Sequence, residues 1–327
     1  MSLVKKVQNT IFQQELFKRG DKIILAVSGG PDSVCMLDIF SKLQKKYALE
    51  LLVAHVNYGL RGKDSELDEK LVRELAEKYG IEISVLVFPK VQPSVSRRLN
   101  LRKFPSENAL RDVRYAFFEK LRLKNKFDVI ALAHNSDDQV ETFLMRIIRG
   151  AGLQGLSAMQ FKNKYLIRPL LATPRQEILS YLKKSNLTYR IDKTNLENGY
   201  LRNRIRNRFI PYIEKNFNPS IRETISDSLV ATSEDIAFLN QETEKYCKKN
   251  AELDVRKLAK LHPAILRRVL RRKLEEKKGN LKNIHTGHTE EILKIIKSTK
   301  NKHQTVLFEG LKVTRKGDKL EISCVSH

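Results

Sequence analysis

The chain has 327 residues, 41% of them hydrophobic, which is enough to bury a core and excludes disorder throughout. Lysine and arginine (62) exceed aspartate and glutamate (38), and a formal charge of +24 points to a polyanionic partner, either a nucleic acid or a membrane surface. Three cysteines, far apart and odd in number, exclude a disulfide scaffold and a Cys-x-x-Cys motif and point to a reducing compartment. No apolar stretch follows the first lysines as a signal peptide requires. Charges also interrupt every apolar run well before the ~20 residues of a membrane helix. The expectation is a cytoplasmic protein with no membrane contact.

Taken in chain order, residues 23–27, 51–56, 81–88 and 129–133 are short apolar-rich runs. Between them Met36, Ile39, Phe40 and Leu43 keep one helical face, and Leu67, Leu71, Leu75 and Tyr79 keep another. Buried strands alternating with amphipathic helices predict an α/β fold with a doubly wound parallel sheet, whose ligands sit beyond the carboxyl ends of the strands. Ser136-Asp137-Asp138-Gln139 has the form of a capping box, opening a helix that carries Val140, Phe143, Leu144 and Ile147 and closes at Gly150. Thr173-Pro174-Arg175-Gln176 opens another helix, with Pro174 at its first position. Asn216-Phe217-Asn218-Pro219 reads as a linker, which divides the chain into a catalytic domain, 1–215, and a second, basic domain, 216–327. The second domain is mainly helical to about residue 300 and ends in a small β meander over about 304–325.

Ser28-Gly29-Gly30-Pro31-Asp32-Ser33 follows the first strand and opens a helix. Glycines let backbone approach a ligand, and the helix start offers unpaired N–H groups to an anion. The Gly-Lys-Ser/Thr ending of a Walker loop is missing, as is Gly-x-Gly-x-x-Gly. A carboxylate at a phosphate site repels unless a cation bridges the two, so Asp32 suggests Mg²⁺. A plain strand-to-helix turn with Asp32 as a cap accounts for the two glycines equally well.

Ser-Gly-Gly-x-Asp-Ser after the first strand resembles the pyrophosphate loop (PP-loop) of the N-type ATP pyrophosphatases, and other stretches resemble their tRNA(Ile)-lysidine synthetase branch. These are His55-Val-Asn-Tyr58-Gly-Leu-Arg61, Ala109-Leu-Arg111-Asp-Val-Arg114-Tyr115 and Ala133-His134-Asn135-Ser-Asp137-Asp138-Gln139-Val-Glu141-Thr142. Arg149-Gly-Ala-Gly152, Arg168-Pro169-Leu, Asp192-x-Thr194-Asn195 and Arg202-Asn-x-Ile-Arg206 follow in the family's order. The likeness is dense from about residue 20 to 215. Tyr58 and Asn135 depart from it, standing where the family has histidines. Neither titrates near neutrality as histidine does.

The resemblance implies a PP-loop, adenine nucleotide alpha hydrolase-like fold. It also implies a ligase that joins free L-lysine to carbon 2 of the wobble cytidine in the tRNA(Ile) with anticodon CAU, consuming ATP through an adenylated cytidine. Ser28, Gly29, Gly30, Pro31, Asp32 and Ser33 would then bind ATP, with Asp32 on Mg²⁺. Arg111 and Arg206 would meet charge on the α-phosphate, for which planar guanidinium is suited. Asp138 and Glu141, at i, i+3 on one helix face, would bind the lysine ammonium and accept a proton, with Asn195 and Arg202 also touching substrate. On spacing alone, an acidic helix start explains the two carboxylates better, and only the motif context reverses that. A homodimer is left open as a further partner. A tRNA thiolase of the same superfamily, and an RNA-binding protein without catalysis, are the competing readings.

His55 and His134 end apolar strands and read as structural hydrogen-bonders, and Cys35 as packing. Arg202, Arg204, Arg206 and Arg208 alternate without compensating acids in the sequence, which suits RNA phosphates or a solvated face. Arg267, Arg268, Arg271, Arg272 and Lys273 form a second basic cluster, open to the same two explanations.

Overall fold

The computed structural model describes residues 1–60, 62–88, 107–157, 159–191, 200–300 and 303–325. Contacts divide the chain into two units, Met1–Ser228 and Leu229–His327. The linker expected near 215 instead lies inside the first unit. There Asn218 accepts from the Ser220 amide as a tight turn, and Arg222 pairs with Asp137 and Glu214, holding the next helix start to the first unit.

The first unit is built on a six-stranded sheet in the order β3-β2-β1-β4-β6-β5. Its strands are β1 (Lys22–Ala26), β2 (Glu50–Asn57), β3 (Glu82–Val87), β4 (Val129–Ala131), β5 (Lys162–Asn163) and β6 (Leu166–Ile167). All neighbouring pairs are parallel except β5 with β6. Central β1 is buried on both faces, as its continuous apolar run requires. Ile23 and Leu25 join Met36, Phe40 and Val53 on one side, and Ile24 joins Leu52, Phe118 and Ile130 on the other. Among the described residues, helices packed with this sheet include α1 (Leu3–Gln13), α2 (Pro31–Tyr47), α3 (Lys63–Tyr79), α4 (Glu107–Lys124) and α5 (Ser136–Ile148). The chain winds from β1 outward to β3, then returns to place β4 on the other side of β1. The segments leaving β1 and β4 therefore meet at the point where the winding reverses, where ligands gather in such sheets.

Two helix starts differ from the sequence expectation. Asn135, not Ser136, caps α5: its Oδ1 accepts from the Asp138 amide and the Asp138 carboxylate accepts from the Asn135 amide, each at 3.0 Å. The box is shifted by one residue because Asp138 can return the bond and the longer Gln139 side chain is bound to Met159 instead. After the short helix α6 (Leu153–Leu156), α7 runs over Arg175–Lys184, so Pro174 is its cap residue and not its first position. Its amide cap comes from elsewhere in the chain, as Asp137 Oδ2 accepts from the Arg175 N–H at 2.9 Å.

The unit closes with α8 (Leu201–Arg204), a π turn (Ile205–Phe209) and α9 (Ile210–Asn216). Pro211 explains the π turn: it has no N–H to give and its ring crowds the carbonyl four residues back, so the preceding turn widens.

Helix α10 (Ile221–Lys249) leads into the second unit, which continues with β7 (Leu253–Asp254), α11 (Val255–Ala259), α12 (Pro263–Lys278) and α13 (Thr286–Lys297). The expected meander is β8 (Gln304–Phe308), β9 (Leu311–Lys316) and β10 (Lys319–Cys324). Two-residue β7, too short to read from sequence, pairs with β10 and makes a four-stranded sheet. Leu258, Val269, Leu270, Leu274, Ile292 and Val313 pack a separate core for this unit. Among the described residues no helix is long and apolar enough to cross a membrane.

Candidate active site

The loop after β1 is fastened internally. Ser33 Oγ donates to the Gly30 carbonyl at 2.9 Å and accepts from the Ser28 amide at 3.1 Å. Gly29 has φ +87°, a conformation that strains any residue with a Cβ, and its carbonyl accepts from the Arg190 amide at 3.0 Å. The first-turn N–H groups of α2 have no acceptor within the helix, so the loop presents donors at a positive helix end.

Asp32 lies at the front of this loop with both oxygens engaged. Oδ1 accepts from Asn135 Nδ2 and Oδ2 from Arg175 Nη1, each at 2.9 Å. Burial pushes the Asp32 carboxyl above the usual range, and Arg175 opposes this. Asn135 is 1% exposed, and its amide orientation follows from its partners, with the nitrogen toward Asp32 and the oxygen toward the Asp138 amide. One side chain thus joins the loop after β1 to the helix after β4.

Asp138 and Glu141 share a face of α5, as their spacing predicted, but two arginines already occupy them. Arg202 gives Nη2 to Asp138 at 2.7 Å and Nε to Glu141 at 2.8 Å. Arg206 binds both oxygens of Glu141 through Nε and Nη2 and lies 3.4 Å from Asp138. Glu141 is 1% exposed, so two guanidiniums neutralise a buried carboxylate in the fork geometry that arginine favours. The ion pairing with Glu141 holds Arg206 firmly protonated against the opposing effect of burial. Two of the four alternating arginines therefore do have compensating acids. Arg202 and Arg206 point inward, whereas Arg204 and Arg208 are exposed.

The structure does not join every expected residue to this group. Arg111, on α4, is exposed and lies over the Tyr115 ring at 5.2 Å, and no ion pair among the described residues links it to Asp32, Asp138 or Glu141. Its positive field does help to depress His134. Asn195 lies outside the described residues, as do Arg61, Asp192 and Thr194. Sequence reasoning passed over Arg175 and Arg222 and noted Asn135 only as a departure. The Asp32 contacts span 103 and 143 residues of chain, and no local spacing signals such pairs.

The two strand-end histidines are neutral. His55 Nδ1 lies 2.8 Å from the Val27 carbonyl and must donate to it, so the proton sits there, and burial lowers its pKa. His134 Nδ1 accepts from Arg168 Nε at 3.2 Å. Burial, reinforced by Arg168, lowers it to about 3. Cys35 is fully buried in the core, and burial raises its thiol. Among the described residues no three His, Cys, Asp or Glu side chains gather as a metal cage.

Residues 2–213 match the family described as the PP-loop domain, and residues 253–320 match the TilS substrate binding domain. A tRNA(Ile)-lysidine synthase of Clostridioides difficile is 35% identical over 324 residues, covering 96% of this chain and 69% of that protein. The chain belongs to the tRNA(Ile)-lysidine synthase family. The synthase of Clostridium tetani is 40% identical over 311 residues, 93% of this chain and 66% of its own length. That of Clostridium perfringens strain ATCC 13124 is 38% identical over 296 residues, 88% of this chain and 62% of its own length. This chain thus spans about two thirds of the length of the synthases it matches. Among solved structures, the U34-tRNA thiolase NcsA of Methanococcus maripaludis shares the fold, with a TM-score of 0.55 at 22% identity over 71% of this chain and 78% of its own.

Proposed function

We propose that this chain ligates lysine to carbon 2 of the wobble cytidine of tRNA(Ile) with anticodon CAU, with ATP as the activating substrate. The observation that carries the reading is the Asn135 amide. It joins the phosphate loop at Asp32 to the carboxylate–arginine group at Asp138, so that phosphate and amine chemistry share one site. The family membership and the match over 253–320 support it.

In the first step the cytidine carbonyl oxygen attacks the α-phosphate and pyrophosphate leaves. The loop from Ser28 to Ser33 holds the departing phosphates through backbone N–H groups. Mg²⁺ is held by few protein carboxylates when it arrives on a triphosphate, which fits Asp32 acting with the substrate's own oxygens, where it would offset phosphate charge. In the second step the lysine amine, having lost a proton, attacks carbon 2, and AMP leaves with the oxygen. Asp138 and Glu141 suit an ammonium ion, but Arg202 and Arg206 hold them first. Lysine therefore exchanges with a guanidinium instead of entering an empty acidic pocket, and the displaced arginine is free to turn to the phosphate.

The decisive experiment is incubation with ATP, labelled lysine and bulk tRNA. Label is expected in the RNA fraction, and pyrophosphate release is expected to require RNA. Absence of label alongside RNA-dependent pyrophosphate release would mean a different nucleophile. Absence of both would end the ligase reading.

A further inference from the structure

The segment from Leu201 to Asn216 has two faces that differ in chemistry. Its inner face carries Arg202 and Arg206 on Asp138 and Glu141, with Ile205 and Ile210 buried beside them. Residues four apart share a helix face and residues two apart do not, so Arg204 and Arg208 turn outward. Both are exposed, and neither has an ion pair among the described residues. The segment's one acid, Glu214, is taken by Arg222 at 2.7 Å and does not offset them.

The same segment carries three aromatic rings that the fold leaves exposed. Phe209 is 41% exposed, Tyr212 58% and Phe217 73%. The rings of Tyr212 and Phe217 are 5.8 Å apart and inclined at 59°, so they form one apolar patch. Phe217 ends there because α9 stops at Asn216, where the Phe217 amide closes the last turn on Ile213. Contiguous exposed aromatics of this kind mark an interaction surface. An apolar protein face would cover the rings but strand two guanidiniums without counter-charge. A paired duplex would meet the arginines but offers no free base faces. Unpaired nucleotides satisfy both features, because bases stack on rings and their phosphates meet arginine.

We infer that the outer face of this segment, Arg204, Arg208, Phe209, Tyr212 and Phe217, binds single-stranded RNA: the loop nucleotides flanking the base delivered to the inner face. The inference rests on the proposed RNA substrate and adds the surface that holds it. The same segment then reads RNA on one side and holds the reacting groups on the other.

The test uses the full chain with a labelled RNA hairpin bearing a CAU loop and a fully paired duplex as control. Tyr212→Ala with Phe217→Ala should weaken hairpin binding about five- to a hundred-fold for each base that no longer stacks, with duplex binding and the salt slope unchanged. Arg204→Gln with Arg208→Gln should lower the salt slope by about one for each phosphate no longer neutralised. Phe217→Tyr, which keeps a stacking ring, should bind as the parent does, and circular dichroism checks that each variant is folded. If the parent binds the hairpin while both double variants match it in affinity and salt slope, the face does not hold RNA. Unchanged RNA binding with a shift in sedimentation would make the face a protein interface and overturn the inference. If the parent binds neither RNA, the function proposed above falls with it, which separates that failure from a failure of this face alone.

Discussion

At the scale of single residues, Asn135 makes two bonds at once that neither serine nor aspartate can reproduce. Its oxygen caps α5 and its nitrogen holds Asp32. Asn135→Ser keeps a good cap and loses the second bond. Serine and asparagine cap comparably, so the loss of stability should be only that of the bond to the Asp32 carboxylate, about 1–3 kcal/mol, while pyrophosphate release falls several-fold. Asn135→Asp also caps well but sets a second carboxylate against Asp32, and activity should fall further. Denaturant titration and pyrophosphate release, measured on the same samples, would separate cap from clamp. Equal activity in all three proteins would show that the Asp32 contact is dispensable. His134 allows a prediction of pH dependence. Its folded pKa of about 3 lies below the ordinary histidine value of about 6.5, so on acidification the unfolded chain takes up the proton first. The stability contributed by neutral His134 is full above pH ~6.5 and is lost as pH falls from there toward its folded value. Unfolding measured at pH 7, 6 and 5 should show a shallower decline in His134→Gln than in the parent. Identical slopes would mean that His134 is not the group responsible.

At the scale of elements, α5 and α8 hold each other through charge. Glu141 is buried under two guanidiniums, and removing its charge takes the main partner from Arg206 and one of two carboxylates from Arg202, which keeps Asp138. Glu141→Gln should therefore cost on the order of 3 kcal/mol, as breaking a buried pair does. It should slow adenylation and lysine transfer together, because Arg202 and Arg206 both lose position. Single-turnover chemistry with and without lysine checks this, and loss of the lysine step alone would show that Glu141 serves only the amine. In the second unit, the basic cluster of α12 is partly paired within the chain. Arg267 pairs with Glu290, and Arg272 and Lys273 pair with Glu276. Arg268 is 8% exposed, and its Nε and Nη2 have no hydrogen-bond partner. A guanidinium in that setting is costly to bury, so Arg268→Met should leave stability unchanged or raise it by about 1 kcal/mol. A clear fall in the denaturation midpoint would show that this guanidinium makes a favourable contact.

At the scale of the whole chain, the formal charge of +24 favours RNA before any base is read. Binding of tRNA should weaken steeply with salt. Replacing Arg267, Arg271 and Arg272 with glutamine should reduce the slope of log affinity against log salt by about one for each phosphate left without its arginine, with ATP binding unaffected. Arg268 does not belong in that set, because its buried position keeps it from a polyanion. Affinity measured at several salt concentrations decides the matter, and an unchanged slope would mean that these side chains meet only their own glutamates and water.

What was legible in the sequence was whatever depends on near neighbours. Apolar runs of strand length, helical faces three and four residues apart and the glycines after β1 are set by local sterics and periodicity. They located β1 to β4, the phosphate loop, the Asp138–Glu141 face and the terminal meander. Family motifs added roles to those positions. Tertiary structure alone decided which groups meet. The reversal of strand order beside β1 sets Asn135 against Asp32, and the return of the chain after residue 200 brings Arg202 and Arg206 onto Asp138 and Glu141. It also divided the arginines, two inward and two outward, by the turn of a helix that Pro211 forces to widen. The physical reason is one of range. Steric preference and hydrophobic periodicity act over a few residues, whereas charge pairing and burial act across whatever distance in the chain the fold has closed.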